Sequence, residues 1–143
     1  MPVPIELLCT DFDGTLHSDF THPRVPVALQ EKIGELQTAG TRWIINTGRT
    51  LEDLQSGLEE AKLTVHPDYV VVVEREIYQC VNGDYKPHSQ WNEQCAATQA
   101  ALFAQVTDRL PELFNWVKDH FFPYGCISWK DGYSIGGSFV NIM

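Results

Sequence analysis

In the stretch LLCTDFDGTLH, Leu7 to His17, an apolar run stops at two aspartates, Asp11 and Asp13, followed by Gly14 and Thr15. A second polar turn, NTGRT from Asn46 to Thr50, closes another short apolar run. Residues of these types suit phosphoryl transfer. Asp11 at a rigid strand end can attack phosphorus and split a difficult displacement into two easier ones through an aspartyl-phosphate. Asp13 can protonate the leaving oxygen and later activate water. Gly14 lets the backbone turn sharply, so that the N–H groups around Phe12 and Asp13 can face phosphate oxygens. Thr47 adds a hydroxyl donor, and Gly48 permits close approach of an anion at a helix N-terminus. A carboxylate does not approach a dianionic phosphate unaided, so this chemistry requires a hard cation with oxygen ligands, for which Mg²⁺ is the natural choice.

An apolar run ending in aspartate is more often a strand reaching the surface, and what distinguishes this one is the set of elements around it. Ile5 to Thr10 reads as a buried strand. Leu29, Ile33 and Leu36 then recur as on one helix face, with Gly40 as the stop. Arg42 to Asn46 is a second strand. Thr50 and Asp53 have the spacing of a helix cap ahead of the stripe Leu51, Leu54, Leu58 and Ala61, and Tyr69 to Val73 is a third strand opened by Pro67-Asp68. This βαβαβ order implies an α/β fold, a Rossmann-like parallel sheet with right-handed crossovers. Ligands of such sheets bind outside the carboxyl ends of the strands, where both polar turns fall.

Beyond strand three, Asn82-Gly83 between Ile77–Val81 and Tyr85 signals a hairpin. Residues 94 to 110 read as a helix with Phe103, Val106 and Leu110 on one face, and Pro111 restarts a second helix through His120. CISW and YSI around Lys130-Asp131-Gly132 suggest another hairpin, and SFVNIM an extended end. The expected division is a core portion over 1–90 and a partial α/β cap or extension over 91–143.

The formal charge of −9 argues against a nucleic-acid or anionic-membrane partner, which needs clustered Lys and Arg. The four cysteines have no zinc-like spacing, and Cys9 and Cys80 fit strand packing. Neither a signal peptide nor a membrane span is evident, so the reading is cytoplasmic with reduced thiols. The five histidines are scattered without ligand spacing and read as surface or loop residues, His17 being the one near the aspartates. The aromatic run Trp116, Phe121, Phe122, Tyr124 and Trp129 reads as cap core.

DFDGTL, Asp11 to Leu16, resembles motif one of the haloacid dehalogenase (HAD) superfamily phosphatases, and WIINTGR, Trp43 to Arg49, is similar to motif two. PDYVVVVEREIY resembles the segment of the sucrose-phosphate phosphatase-like and Cof-like branches, in which a hairpin precedes an α/β cap. A Gly or Asn-Gly commonly ends that segment in the family, and Glu74, Arg75 and Glu76 stand here instead. The resemblance implies Asp11 as nucleophile and Mg²⁺ ligand, and Asp13 as acid and base that ligates the metal through its backbone carbonyl. It implies Thr47 as holder of the transferring phosphoryl group, with Phe12 and Gly48 beside the phosphate and Arg49 at the entrance. The implied substrate is a small phosphorylated metabolite.

The family's motif-three Lys and motif-four acidic residues have no counterpart here. Lys118 falls in a helical aromatic-rich segment, and Lys130 and Asp131 in a hairpin turn. The expectation is therefore a chain holding the N-terminal half of the fold and ending within the cap. Strand one would then be an exposed apolar edge inviting self-association. Two other readings stand beside the phosphatase: a non-catalytic HAD-like remnant or regulatory binding protein, which the absent motifs favour, and a phosphate-accepting receiver domain, which the D-x-D-G-T order fits poorly.

Overall fold

The computed structural model describes residues 5–121. The chain divides into two compact units between Cys95 and Ala96. In the first, the elements run β1 (Leu7–Asp11), α1 (Val27–Thr38), β2 (Arg42–Asn46), α2 (Leu51–Ala61), β3 (Tyr69–Val72), β4 (Glu76–Val81) and β5 (Asp84–Pro87), and then the start of α3 (Ser89–Ala104). The strands form one sheet in the order β1-β2-β3-β4-β5. The first three pair in parallel, as the βαβαβ pattern predicts, and β4 and β5 extend the sheet antiparallel.

Trp43, Ile45, Val70 and Val72 alternate inward from β2 and β3, and meet Ile33 of α1, Leu54 and Ala61 of α2, and Phe12, Leu16 and Val25 from the loop after β1. The Trp43 indole is fully buried and donates its N–H to Thr10 Oγ1 at 3.1 Å, so the largest core side chain leaves no orphaned polar atom. Gln30 does the same for its neighbours: its amide donates to the Val25 carbonyl at 3.0 Å, and its oxygen accepts from both the N–H and hydroxyl of Thr64.

Asp68, just before β3, ties four elements together. Its carboxylate accepts from the Trp43 N–H at 2.9 Å, from Gln37 Nε2 of α1 at 3.0 Å and from the Arg42 guanidinium at 2.7 Å. Its N–H donates to the Trp43 carbonyl, and its carbonyl accepts from the Cys80 N–H of β4. Partial burial pushes the carboxyl pKa up, but the donors from Trp43, Gln37 and Arg42 outweigh it and hold the group below the usual carboxylate range.

Two hairpin turns show contrasting chemistry. Asn82 and Gly83, with φ of 55° and 88°, join β4 to β5 as their sequence predicts. Between β3 and β4, Val73 and Glu74 adopt φ of 45° and 59°, and the Arg75 N–H closes the turn on the Val72 carbonyl. Strand three thus ends one residue earlier than its apolar pattern suggests. Left-handed backbone at a β-branched residue is strained, and it persists where the surroundings over-determine it. Here the Val73 N–H donates to the Arg49 carbonyl at 2.9 Å and the Glu74 N–H to the Thr47 carbonyl at 3.1 Å. The strained turn thereby pins the loop after β2.

Several expectations are corrected. β1, read as a buried strand but also expected as an exposed edge, is the edge strand of the sheet among the described residues, with alternate residues exposed, Leu7 being 56% exposed and Cys9 exposed too. His17 is buried rather than a surface residue, its ring stacked on Phe12 at 5.0 Å. The helix expected over 94–110 is α3, which begins at Ser89 because Asn92 grips both the N–H and the carbonyl of Ile77. It stops at Ala104, where Gln105 and Val106 bond back to the carbonyls three residues earlier, and Phe103 and Val106 are exposed.

In the second unit, a short 3₁₀ turn (Thr107–Arg109) leads to α4 (Leu110–Phe121). Val117 is buried, whereas Trp116 is half exposed and stacks on His120. Phe122, Tyr124, Trp129 and the segments CISW, YSI and SFVNIM lie outside the described residues.

Two outcomes are expected. Replacing Asp68 by Asn removes charge-assisted acceptors worth about 2 kcal/mol together, read as a lower midpoint in urea unfolding. Because the folded pKa is depressed, the carboxylate's contribution is full above its unfolded value and fades as the pH falls through the folded one. The parent should therefore lose its advantage over the Asn variant on the acid side of the normal carboxylate range. Glu74→Gly should relieve left-handed strain and raise unfolding free energy by about 0.5–1 kcal/mol, measured as an increased melting temperature.

Candidate functional site

Asp11 is the last residue of β1 and stands opposite Asn46, the last residue of β2, in parallel register. Both polar turns therefore leave the same edge of the sheet. The Asp11 side chain is held by its own turn: Oδ1 accepts from the Phe12 N–H at 2.7 Å and Oδ2 from the Thr15 hydroxyl at 3.3 Å. The turn is rigid for a stated reason. The N–H groups of Leu16 and His17 both reach the Phe12 carbonyl, Gly14 at φ 71° donates back to the His17 carbonyl, and Phe12 and Leu16 anchor the turn in the core.

Phe12, expected beside the phosphate, serves two structural purposes here. Its N–H orients the Asp11 carboxylate and its ring is fully buried. Asp13, by contrast, is exposed and faces the β2 loop. Arg49 grips it with two parallel bonds, Nε to Oδ2 at 2.8 Å and Nη2 to Oδ1 at 2.6 Å. The side-chain hydrogen bond to Asp13 raises the Arg49 pKa above its already high usual value, so the guanidinium is charged at any working pH. A carboxylate has about four lone-pair sites, so this fork leaves Asp13 two for other partners.

Thr47 is buried and fixed from three directions: its N–H on the Val71 carbonyl, its carbonyl under the Glu74 N–H, and its hydroxyl accepting from the Arg49 N–H at 3.2 Å. Gly48 is exposed, and a Cβ built there would meet only the Glu74 carboxylate, at 3.9 Å, an ordinary contact. Thr50 caps α2 by accepting from the Asp53 N–H, which is all its sequence position implied. A cleft of about 350 Å³ between the loop after β1 and α2 has Arg49, His17, Arg24 and Glu60 in its wall; Asp11 and Thr47 do not line it.

Two residues at the site escape sequence reasoning. Glu74 hangs beside Gly48 because of the strained turn, and the only signal was its departure from the expected Asn-Gly. Gly57, mid-helix in α2, packs against Arg49 and Phe12, and no motif marks it.

The oxygens of the motif-one turn are of the kind Mg²⁺ takes. Asp11 offers a carboxylate, and the Asp13 carbonyl accepts no backbone hydrogen bond among the described residues. These are hard oxygens, and the ion commonly retains waters in its remaining positions. The set is small: among the described residues no group of three or more Asp, Glu, His or Cys is arranged around one point.

No curated protein matches the chain. Among solved structures, a phosphatase of the haloalkanoate (HAD) enzyme superfamily from Bacteroides thetaiotaomicron is similar at 26% identity and a TM-score of 0.47, the match covering 59% of this chain and 28% of that one. The family model described as sucrose-6F-phosphate phosphohydrolase matches residues 4–122, which include both polar turns and the sheet that carries them. By that match the chain belongs to the sucrose-6F-phosphate phosphohydrolase family of HAD-like phosphatases.

Proposed function

We propose that the chain carries the nucleophile-bearing part of a phosphatase site that hydrolyses a phosphate monoester of a small metabolite through an aspartyl-phosphate on Asp11. The observation that carries this reading is the pairing of an oriented Asp11 at the sheet edge with Asp13 two residues on, held by the loop of the neighbouring strand. The family's name points to a sugar phosphate as the substrate class. The formal charge of −9 fits a small ligand better than a nucleic acid or an anionic membrane. No helix among the described residues is long and apolar enough to cross a membrane, and a cytoplasmic setting is part of the proposal.

In this reading Asp11 attacks phosphorus, its carboxylate already turned by the Phe12 N–H and the Thr15 hydroxyl. Asp13 first takes up a proton from solvent, giving up one arm of the Arg49 fork, and delivers it to the departing oxygen as the P–O bond to the leaving group breaks. Asp13, now a carboxylate, then takes a proton from the water that attacks the aspartyl-phosphate, and Asp11 is restored. Thr47 and Gly48 lie on the side from which the phosphoryl oxygens are held. Mg²⁺, held by the Asp11 carboxylate and the Asp13 carbonyl, would supply the charge neutralisation that brings a carboxylate and a phosphate together. With so few protein ligands among the described residues its binding would be weak, and turnover by the chain alone is expected to be low. A non-catalytic, anion-binding role is the alternative that this incomplete donor set favours.

The open edge of β1, with Ile5 and Leu7 each 56% exposed, is proposed as a self-association surface.

Two measurements check these proposals. With Mg²⁺ and an aryl phosphate, Asp11→Asn should lower whatever turnover the chain shows by at least ~10²-fold, with an unchanged melting curve, since it removes only the attacking charge. Asp13→Asn should slow poor leaving groups more than good ones. Turnover that survives Asp11→Asn would move the chemistry elsewhere, and anion binding with no turnover would leave the binding role. In light scattering the chain should exceed the monomer mass, and Leu7→Lys should return it toward the monomer; a monomeric parent removes the edge from consideration.

A further inference from the structure

We infer that Gly57 of α2 is a positioning residue for Asp13, acting through Arg49. The inference rests on the role given to Asp13 above and adds what seats its partner. Arg49 reaches Asp13 across 36 residues of sequence, and a long flexible side chain does not hold a two-bond geometry unless its stem and remaining donors are fixed. They are fixed here by α2 and the motif-one turn. Nη1 donates to the Asp53 carbonyl at 3.2 Å, and the guanidinium carbon lies 5.1 Å from the centre of the Phe12 ring.

Gly57 is the fourth side of this seat. It lies one turn after Asp53 on the same face of α2 and is buried. A Cβ placed there would stand 2.8 Å from Arg49 Nη1, and 2.9 and 3.1 Å from two carbons of the Phe12 ring. Phe12 is fully buried in the core and can give only slightly, whereas Nη1 is the far end of a flexible side chain. The added methyl must therefore shift both neighbours, the Phe12 ring and helix α2 by a few tenths of an ångström against each other and Nη1 outright, and the displaced guanidinium loses the fork on Asp13. A glycine in a helix interior costs about 1 kcal/mol relative to alanine, so its place in the middle of α2 fits a need for the space.

The contrasting explanation is that Gly57 only makes room for Phe12, and the test separates the two. In the ¹⁵N-labelled full chain, the Arg49 Nε–H bonded to Asp13 should give a signal protected from solvent exchange, assigned by its loss in Arg49→Lys. Gly57→Ala should abolish that protection while the backbone signals of β1 and β2 keep their positions. Gly48→Ala should leave it intact, since a Cβ at 48 meets nothing closer than 3.9 Å. Retention of the protected signal in Gly57→Ala overturns the inference. If Gly57→Ala does not fold, it is combined with Arg49→Ala: recovery of the fold supports the seat, and failure to recover assigns the contact to Phe12 alone and overturns it. The signal does not depend on turnover. Loss of protection in Gly57→Ala together with turnover that survives Asp11→Asn would therefore sink the phosphatase reading and leave the seat standing.

Discussion

The parallel pairing of β1 with β2 is the constraint on which the rest depends. Its register sets Asp11 against Asn46, so the turns that follow leave the sheet side by side and at the same height. A shift of one residue would send each side chain of β1 to the opposite face. The core guards against that shift. Trp43, which stands opposite Leu8, is bonded through its indole to Thr10 and through its N–H to Asp68. The pairing that places the carboxylates is thus backed by the largest buried side chain through its bond to Thr10 of β1, while Asp68 ties β2 to the start of β3.

Order at the site is built outward from that register in layers. The motif-one turn is closed by its own backbone and anchored by Phe12 and Leu16. The motif-two loop is held from the other flank by two N–H groups of the strained Val73-Glu74 turn. Arg49 then joins the two loops. Strain stored in one turn is matched by hydrogen bonds that fix Thr47 and Arg49, which is the usual setting in which such backbone is retained near a working site.

Much of this was legible in local sequence. Arg42–Asn46, the Thr50 cap and the Asn82-Gly83 turn follow from propensity and turn chemistry confined to a few residues, and the two motifs mark the strand ends they occupy. What was not legible depends on distant partners. His17 reads as a loop residue until Phe12 is seen stacked against it. Asp68 looks like a strand boundary, although its three donors come from residues 25 to 31 positions away. Gly57 carries no turn and no positive φ, so only the tertiary approach of Arg49 and Phe12 gives it meaning.

The charge balance at the sheet edge sets the terms on which an anion can enter. Asp11, Asp13 and Glu74 are three carboxylates about these loops, and Arg49 is the cation fixed among them, already paired to Asp13. Two unit charges 4 Å apart interact by about 4 kcal/mol at the effective dielectric of a protein surface, so a phosphate dianion arriving beside Asp11 meets a repulsion of several kcal/mol. Backbone N–H groups offset part of this, but the Phe12 N–H is already committed to Asp11 and the Thr47 N–H to Val71. The exposed carboxylate of Glu74 adds to the negative charge, since it stands next to Gly48 in the loop after β2. Positive charge beyond Arg49 is therefore a physical requirement for a phosphate dianion at this edge, because among the described residues of these two loops the fixed guanidinium is already spent on Asp13.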